Sequence, residues 1–124
     1  MSHINPSNFI SIPQHLRDRA HERPHSPAYF EWSDQAWEAT SWKVYDQQVN
    51  QAARALMYLG FEVAKSVCIL GFNRPEWVIL DLACMTAGGA PAGIYTTCSP
   101  PEVQYIIHHS FWSDTRLDCA RDKH

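Results

Sequence analysis

The side chains best suited to bind a metal are four cysteines and two adjacent histidines. The cysteines are Cys68, Cys84, Cys98 and Cys119, and the histidines are His108 and His109. The cysteines are too far apart in the chain to form the closely spaced pairs that zinc sites use, so we interpret them as free thiols that pack like small apolar residues. The histidines are neighbours on a predicted helix and point in different directions, which disfavours a shared metal. We therefore predict no metal site.

Arg74 is a candidate for binding a phosphate, because it stands where a predicted helix begins, in Asn73-Arg74-Pro75-Glu76-Trp77. Free backbone N–H groups gather at a helix N-terminus and attract anions. The alternative is that Asn73 caps this helix and that the Arg74 side chain is solvated. We favour the alternative, although it places Pro75 at the second helical position rather than at the first.

Two further pairs of residues are of types that occur at ligand sites. Gly88-Gly89 follows a helix and precedes a strand, the wrong order for a phosphate loop, so we interpret the pair as a helix stop and a point of close packing. Thr96 and Thr97 follow a predicted parallel strand, at the end where ligands approach open α/β sheets, but we favour a role in a turn. We therefore nominate no catalytic residue, no cofactor-binding residue and no metal ligand.

Composition and missing motifs exclude several classes of protein. Thirteen acidic and ten basic residues give a net charge of −3, and the basic side chains are scattered, which argues against nucleic-acid binding. The motifs GxGxxG, GxxxxGK[ST] and GxSxG are absent. There is neither an apolar run of about 18 residues nor a secretory signal, so we expect an intracellular, cytoplasmic protein without a transmembrane segment. Peripheral membrane association stays open.

The periodicity predicts an α/β fold made of a small hairpin and a βαβα unit. Residues 1–10 are expected to form a flexible arm, followed by a short helix at 14–22. Strands at 28–32 and 37–40 form the hairpin, and an amphipathic helix follows from Trp42 to Leu59, capped by Ser41 or Thr40 and ended by Gly60. A strand at 66–71, a helix at 77–87 and a parallel strand at 90–95 come next. The last helix begins with the capping box Ser99-Pro100-Pro101-Glu102 and has Val103, Ile106 and Ile107 on one side.

The helix at 77–87 is apolar on every side, since Asp81 and Thr86 are its only polar residues. Such a helix has to be surrounded by protein, and two parallel strands do not make a stable sheet alone. Uncovering even ~400 Å² of apolar surface forfeits on the order of 10 kcal/mol, which is comparable with the net stability of a whole domain. We expect the isolated chain to be marginally stable and prone to association.

Four segments, taken in order, resemble the N-terminal region of AMP-forming acyl-CoA synthetases, and most closely the long-chain fatty-acid–CoA ligases of the bubblegum type. They are IPQHLRDRAHERPHSPAYF (12–30), TSWKVYDQQVNQAARAL (40–56), VCILGFNRPEWVILDLACMTAGGAPAGIYTTCSP (67–100) and EVQYII (102–107). The resemblance covers about residues 10 to 110. Its order and spacing make it more specific than any single short motif.

The resemblance implies an incomplete N-terminal subdomain of an adenylate-forming synthetase at 11–110. Enzymes of that family use ATP and magnesium to convert a fatty acid to an acyl-adenylate, and then transfer the acyl group to coenzyme A. Their adenylation loop, the acidic residue that holds the ribose and the lysine of the C-terminal domain lie beyond the matched segments. The resemblance therefore implies a fragment that is inactive alone and needs no cofactor of its own. Residues 111–124 depart from the family, and we expect an end altered by frameshift, by splicing or by gene prediction.

Two other hypotheses remain open. The chain could be an interaction module that docks on a complementary chain or on an intact synthetase through an unpaired strand and its apolar helix. It could also be a small flavodoxin-like nucleotide module, although the missing glycine-rich loop weighs against that.

Overall fold

The computed structural model describes residues 9–111, which form four helices and four strands. In chain order they are α1 (Ile12–Glu22), β1 (Pro27–Ser33), β2 (Ala36–Ser41), α2 (Trp42–Tyr58), β3 (Ser66–Leu70), α3 (Pro75–Thr86), β4 (Ala90–Ile94) and α4 (Pro100–Phe111). The predicted α/β class, with a hairpin and a parallel unit, is confirmed. Most of the expected arm, the tail from residue 112 and Cys119 lie outside the described residues.

The hairpin pairs β1 with β2 antiparallel, as predicted. Its two-residue loop has positive φ at both Asp34 (44°) and Gln35 (71°), the handedness that matches the twist of the flanking strands. One face of the hairpin packs on α2 through Tyr29, whose hydroxyl donates a hydrogen bond to Gln48 Oε1 at 3.0 Å. The sequence thus places a rigid hairpin against the amphipathic helix.

Helix α2 begins at its predicted cap, since the Ser41 hydroxyl accepts a hydrogen bond from the Val44 N–H at 3.3 Å. Gly60 follows its end with φ +92°, as expected of a left-handed helix stop. Val49 and Ala53 are buried on the predicted apolar face. The predicted end at Leu59 was one residue too late: the helix ends at Tyr58, and the Leu59 side chain is 80% exposed.

Strands β3 and β4 pair in parallel, with Ser66 opposite Ala90 and Leu70 opposite Ile94. Helix α3 joins them and packs against α2, and its Ala83 and Cys84 are fully buried. Gly88 has φ +87° at the end of α3. Gly89 lies so close to the Lys65 carbonyl oxygen that a Cβ would stand 2.5 Å from it. The predicted helix stop and close packing at this glycine pair are both confirmed.

Two predicted helix starts were wrong. Helix α1 begins at Ile12, two residues before the prediction, because the Ser11 hydroxyl caps it by accepting from the Gln14 N–H. Helix α3 begins at Pro75, and Arg74, rather than Asn73, is the cap residue and makes no side-chain capping bond. Proline is favoured at the first helical position, because its fixed φ suits the helix and the N–H group that it lacks would have no hydrogen-bond partner there. This preference overrides the capping ability of asparagine.

Helix α4 begins at Pro100, and Glu102 makes its half of the predicted capping box by accepting from the Ser99 N–H. The Ser99 N–H and hydroxyl both donate to Glu102 Oε2, at 2.7 and 2.6 Å. These bonds also lower the pKa of the Glu102 carboxyl, the hydroxyl contributing most. The helix therefore starts where the sequence indicated, directly after β4 and its turn.

The buried core of the described region is small and wholly apolar. Its residues are Leu16, Val49, Ala53, Ile69, Ala83, Cys84, Ala87 and Ile94. Several large apolar side chains are at least 74% exposed, namely Tyr58, Leu59, Val63, Phe72 and Tyr95. Within residues 9–111, no helix has the length and apolar character needed to cross a bilayer.

Candidate functional site

A groove of about 420 Å³ lies at the carboxyl ends of the parallel strands. Its lining comes from the segment after β3, the first turn of α3, and the end of β4 with the residues that follow it: Gly71, Phe72, Asn73, Trp77, Gly93, Ile94, Tyr95 and Thr96. Ligands of open α/β sheets bind at this end, because loops diverge there and helix N-termini point towards it. We therefore regard this groove as the candidate functional site.

The indole of Trp77 forms one wall of the groove. A Cβ on Gly93 would stand 2.9 Å from Trp77 Cζ2, and one on Gly71 would stand 3.8 Å from Cδ1. Because glycine carries no side chain, the indole can approach the backbone of β4 at Gly93, where a methyl group would collide with it.

Arg74 stands beside this groove but is engaged locally. Its Nε lies 3.3 Å from Glu76 Oε2, and both side chains are 65% exposed. An exposed pair of this kind contributes little stability. The structure thus favours the solvated alternative for Arg74, paired with Glu76 and without the asparagine cap that we predicted.

Thr96 and Thr97 form a tight turn after β4, in which the Cys98 N–H donates to the Tyr95 carbonyl at 3.0 Å. Both threonines are exposed, and Thr96 also lines the groove. The favoured interpretation, that these hydroxyls belong to a turn, agrees with this geometry. Among the described residues that line the groove, only Tyr95 has a titratable side chain, so they include no pair of acid and base.

The described cysteines and histidines weighed as metal ligands are distributed over β3, α3, the turn before α4 and α4 itself. Cys68, Cys84 and Cys98 are free thiols, and burial raises the pKa of the Cys84 thiol. His108 and His109 are exposed on α4, where His109 stacks on Tyr105 with ring centroids 5.7 Å apart. In residues 9–111, no three His, Cys, Asp or Glu side chains converge in a way that could hold a metal ion. We therefore assign no magnesium ligand to this region.

Away from the groove, one half-buried carboxylate lies between α3 and the hairpin side of α2. Burial raises the pKa of Asp81, which has no hydrogen bond within the described part of the chain. Burial also raises the pKa of Tyr45, with smaller contributions from Tyr29 and Asp81. Tyr45 packs edge-on against Tyr29 with centroids 5.3 Å apart. The contacts of Tyr29 with Tyr45 and Gln48 in this cluster hold the hairpin against α2.

Sequence reasoning did not nominate the aromatic lining of the groove. Phe72 and Tyr95 each stand just beyond a strand, and Trp77 lies one turn into α3. The only sequence signal for their convergence is a glycine near the end of each strand, Gly71 and Gly93. The groove can bind a flat or apolar group against its aromatic walls, with polar contacts from Asn73 and Thr96.

Comparison with known proteins identifies the family. The family model described as AMP-binding enzyme matches residues 16–112. This match covers most of the chain, so the chain belongs to the AMP-binding enzyme family. The resemblance to adenylate-forming synthetases is thereby confirmed.

The curated relatives are long-chain-fatty-acid–CoA ligases. The chain is 46% identical to ACSBG1 of Rattus norvegicus over 72 residues, which cover 58% of this chain and 10% of the relative. It is 35% identical to ACSBG2 of Homo sapiens over 101 residues, which cover 82% of this chain and 15% of the relative. The chain thus spans a small part of the length of the relatives it matches.

Solved structures share the fold. The inhibitor-bound N-terminal domain of FACL13 from Mycobacterium tuberculosis matches with a TM-score of 0.75 and 27% identity, over 82% of this chain and 25% of that one. A fatty acyl CoA synthetase from the same organism matches with a TM-score of 0.74 and 27% identity, over 80% and 19%. The N-terminal subdomain of Klebsiella oxytoca NpsA, at 17% identity and a TM-score of 0.71 over 82% and 26%, shares the fold alone.

Proposed function

We propose that this region is part of a long-chain fatty-acid–CoA ligase. Such a ligase is an intracellular enzyme that uses ATP to form an acyl-adenylate and then a thioester with coenzyme A. The observation that carries the proposal is the 35% identity to human ACSBG2 over 82% of the chain. The name of that relative supplies the substrate class, a long-chain fatty acid. Magnesium would assist adenylation, as the family resemblance implies.

The region acts as a structural part of such an enzyme and is inactive alone. Adenylation needs groups that hold the triphosphate and neutralise the charge that develops during transfer. Arg74, the candidate for a phosphate contact, is exposed and paired with Glu76. The candidate groove offers aromatic walls and two polar side chains, which can bind but cannot transfer a group.

A chimera tests the proposal. Residues 10–110 replace the aligned segment of human ACSBG2, and thioester formation is measured with palmitate, ATP, magnesium and coenzyme A. We expect the chimera to retain activity, whereas ACSBG2 that lacks the segment loses it. An inactive chimera that folds and melts like the parent contradicts the assignment to this reaction.

The isolated chain provides the second arm of the test. Purified 124-residue protein is incubated with the same substrates, and pyrophosphate release is measured. We expect no release above the rate without protein. Turnover by the isolated chain contradicts the proposed inactivity, whatever the result with the chimera.

A second candidate function, an interaction module without catalysis, has one structural observation in its favour. Exposed apolar side chains such as Phe72 and Tyr95 stand beside a parallel sheet that has two strands within residues 9–111. Parallel sheets are normally covered and extended on all sides. Size-exclusion chromatography separates the two hypotheses, because a monodisperse, cooperatively folded monomer contradicts a docking role.

A further inference from the structure

We infer that a cleft between α1 and the start of α2 binds a phosphate monoester that carries a hydroxyl group next to its phosphate. The cleft has a volume of about 440 Å³. Its polar lining comes from α1, from the turn that follows it and from α2: Arg17, His21, His25, Lys43, Asp46 and Gln47. It shares no residue with the groove at the ends of β3 and β4, so the inference goes beyond the proposed function.

The fold brings together basic residues that are scattered in the sequence. Arg17 and His21 are four residues apart on α1, which places them on the same face of that helix. Lys43 and Asp46 are three residues apart on α2 and likewise share a face. The cleft forms where these two faces meet, so its basic groups come from separate elements.

Backbone hydrogen bonds hold the turn between the two elements in place. The Lys43 N–H donates to the Pro24 carbonyl at 3.1 Å, and the Trp42 N–H donates to the Ser26 carbonyl at 3.1 Å. These bonds use N–H groups at the start of α2, so the side chains of the cleft have to bind the anion. The dipole of α2 adds a positive potential at the same place.

The basic side chains of the cleft have no internal counter-ion. They are Arg17, His21, His25 and Lys43. Within residues 9–111, no carboxylate lies within ion-pair distance of any of them. Arg19 differs, because its Nη1 lies 3.0 Å from Glu22 Oε2. Basic groups that converge without acidic partners attract anions from solution.

A phosphate group suits this set of donors. It offers three acceptor oxygens and a charge of about −1.5 to −2 at neutral pH. The guanidinium of Arg17 can bind two of these oxygens at once, and the Lys43 ammonium adds a point charge from the opposite side of the cleft. The imidazoles of His21 and His25 can donate further hydrogen bonds.

The Asp46 carboxylate determines which phosphate fits. Among the described residues of the lining it is the only acidic group, and its Oδ1 is buried with no hydrogen-bond partner there. A buried acceptor of this kind costs free energy until a donor reaches it. A hydroxyl group next to the phosphate can supply that donor once the carboxyl group rotates, whereas a phosphate without one is only repelled by Asp46. The ligand is therefore a phosphate monoester with a neighbouring hydroxyl group.

A metal ion is the other ligand that these side-chain types suggest. His21, His25 and Asp46 all line the cleft, but within residues 9–111 no three such side chains are placed to hold a metal ion. The positive charges of Arg17 and Lys43 also repel a cation. The arrangement therefore favours the anion.

Calorimetric titration of the full 124-residue chain with glycerol 3-phosphate tests the inference. We expect one-site binding, and at least about fivefold weaker binding of propyl phosphate, which has no hydroxyl group to offer Asp46. Asp46→Ala should remove the difference between the two ligands. If circular dichroism shows that the isolated chain is unfolded, the ACSBG2 chimera takes its place.

Three substitutions locate the site. Arg17→Gln and Lys43→Gln change exposed side chains, so the fold should persist, and each should weaken binding of glycerol 3-phosphate about tenfold or more. The matched control is Arg19→Gln, which removes the same charge from the same helix but lies outside the lining. It should change the affinity by less than about twofold.

Vesicles distinguish a soluble ligand from a lipid headgroup with the same chemistry. The chain is sedimented with phosphatidylcholine vesicles that contain or lack phosphatidylinositol 4-phosphate. Sedimentation that needs the phosphorylated lipid and is reversed by glycerol 3-phosphate identifies the headgroup as the ligand. Binding of glycerol 3-phosphate without sedimentation identifies a soluble phosphate monoester.

Three outcomes overturn the inference. They are no binding of glycerol 3-phosphate below about 10 mM together with no sedimentation, equal losses with Arg19→Gln and Arg17→Gln, and equal affinity for propyl phosphate and glycerol 3-phosphate. Thioester formation by the chimera is measured separately, so the proposed function stands or falls independently.

Discussion

The indole of Trp77 lies against the backbone of Gly93 so closely that a methyl group on Gly93 would stand 2.9 Å from Cζ2. Gly93→Ala should therefore push the indole off the end of β4, at a cost of about 1–3 kcal/mol for overpacking. Urea unfolding followed by circular dichroism at about 15 °C, near the usual temperature of maximum stability, measures the change.

Gly71→Ala is the matched control, because its new methyl group would meet the same indole at 3.8 Å, an ordinary contact. It should be neutral or slightly stabilising, since alanine lowers the entropy of the unfolded chain. In a Trp77→Leu background, the cost of Gly93→Ala should fall towards zero. Equal costs at both glycines would show that the indole contact is not the cause.

Gly89→Ala should be more harmful than Gly93→Ala. Its Cβ would stand 2.5 Å from the carbonyl oxygen of Lys65, which accepts the Ala90 N–H where β4 begins. Backbone cannot move aside as an indole can, so we expect a loss of at least about 3 kcal/mol and no cooperative unfolding transition.

Gly60→Ala separates the cost of a steric clash from the cost of an unfavourable backbone conformation. Nothing lies within 4 Å of its Cβ position, but its φ is +92°. It should cost about 1 kcal/mol.

The fold was predictable wherever local signals agreed. The hairpin, the parallel pair of strands and the caps at Ser41 and Ser99 follow from alternation, helical periodicity and capping chemistry over a few residues. The start of α3 was not predictable. Asn73 as a cap favours a helix that begins at the next residue, whereas Pro75 favours a helix that begins at Pro75 itself, and only the relative strength of these two preferences decides.

The candidate groove was less predictable than the fold. It depends on three residues from different elements, Gly71, Trp77 and Gly93, and only the β3–β4 register brings them together. A sequence shows that each glycine is present, but it does not show which side chain will use the space. Leu59 illustrates the same limit, because the sequence did not show that α2 ends at Tyr58 and leaves the Leu59 side chain exposed.

Ser41→Ala should remove the cap of α2, the longest helix of the described residues. The Ser41 hydroxyl accepts the Val44 N–H, and α2 supplies the buried Val49 and Ala53. We expect a loss of about 1 kcal/mol, measured by urea unfolding, and recovery with Ser41→Asp, whose carboxylate also caps a helix. Ser11→Ala removes the corresponding cap of α1, which buries only Leu16, and should cost less. An equal loss at both caps would contradict the view that α2 is the central helix.

Asp81 should make the chain less stable at neutral pH than in mild acid. Burial raises its pKa above the ordinary value of 3.8, so the folded state retains a proton at pH values where the unfolded state has lost it. The free energy of unfolding therefore falls as pH rises from about 3.8 through the raised pKa, and stays lower above it.

Asp81→Asn removes the cost of burying the charged carboxylate while keeping the shape of the side chain. The variant should have the higher melting temperature at pH 7, and its advantage should shrink as the pH falls to about 3. Asp34→Asn changes the net charge equally at the exposed hairpin turn and serves as the control for net charge. If Asp81→Asn gives a constant offset from pH 3 to pH 7, the Asp81 carboxylate is solvated and carries no burial cost.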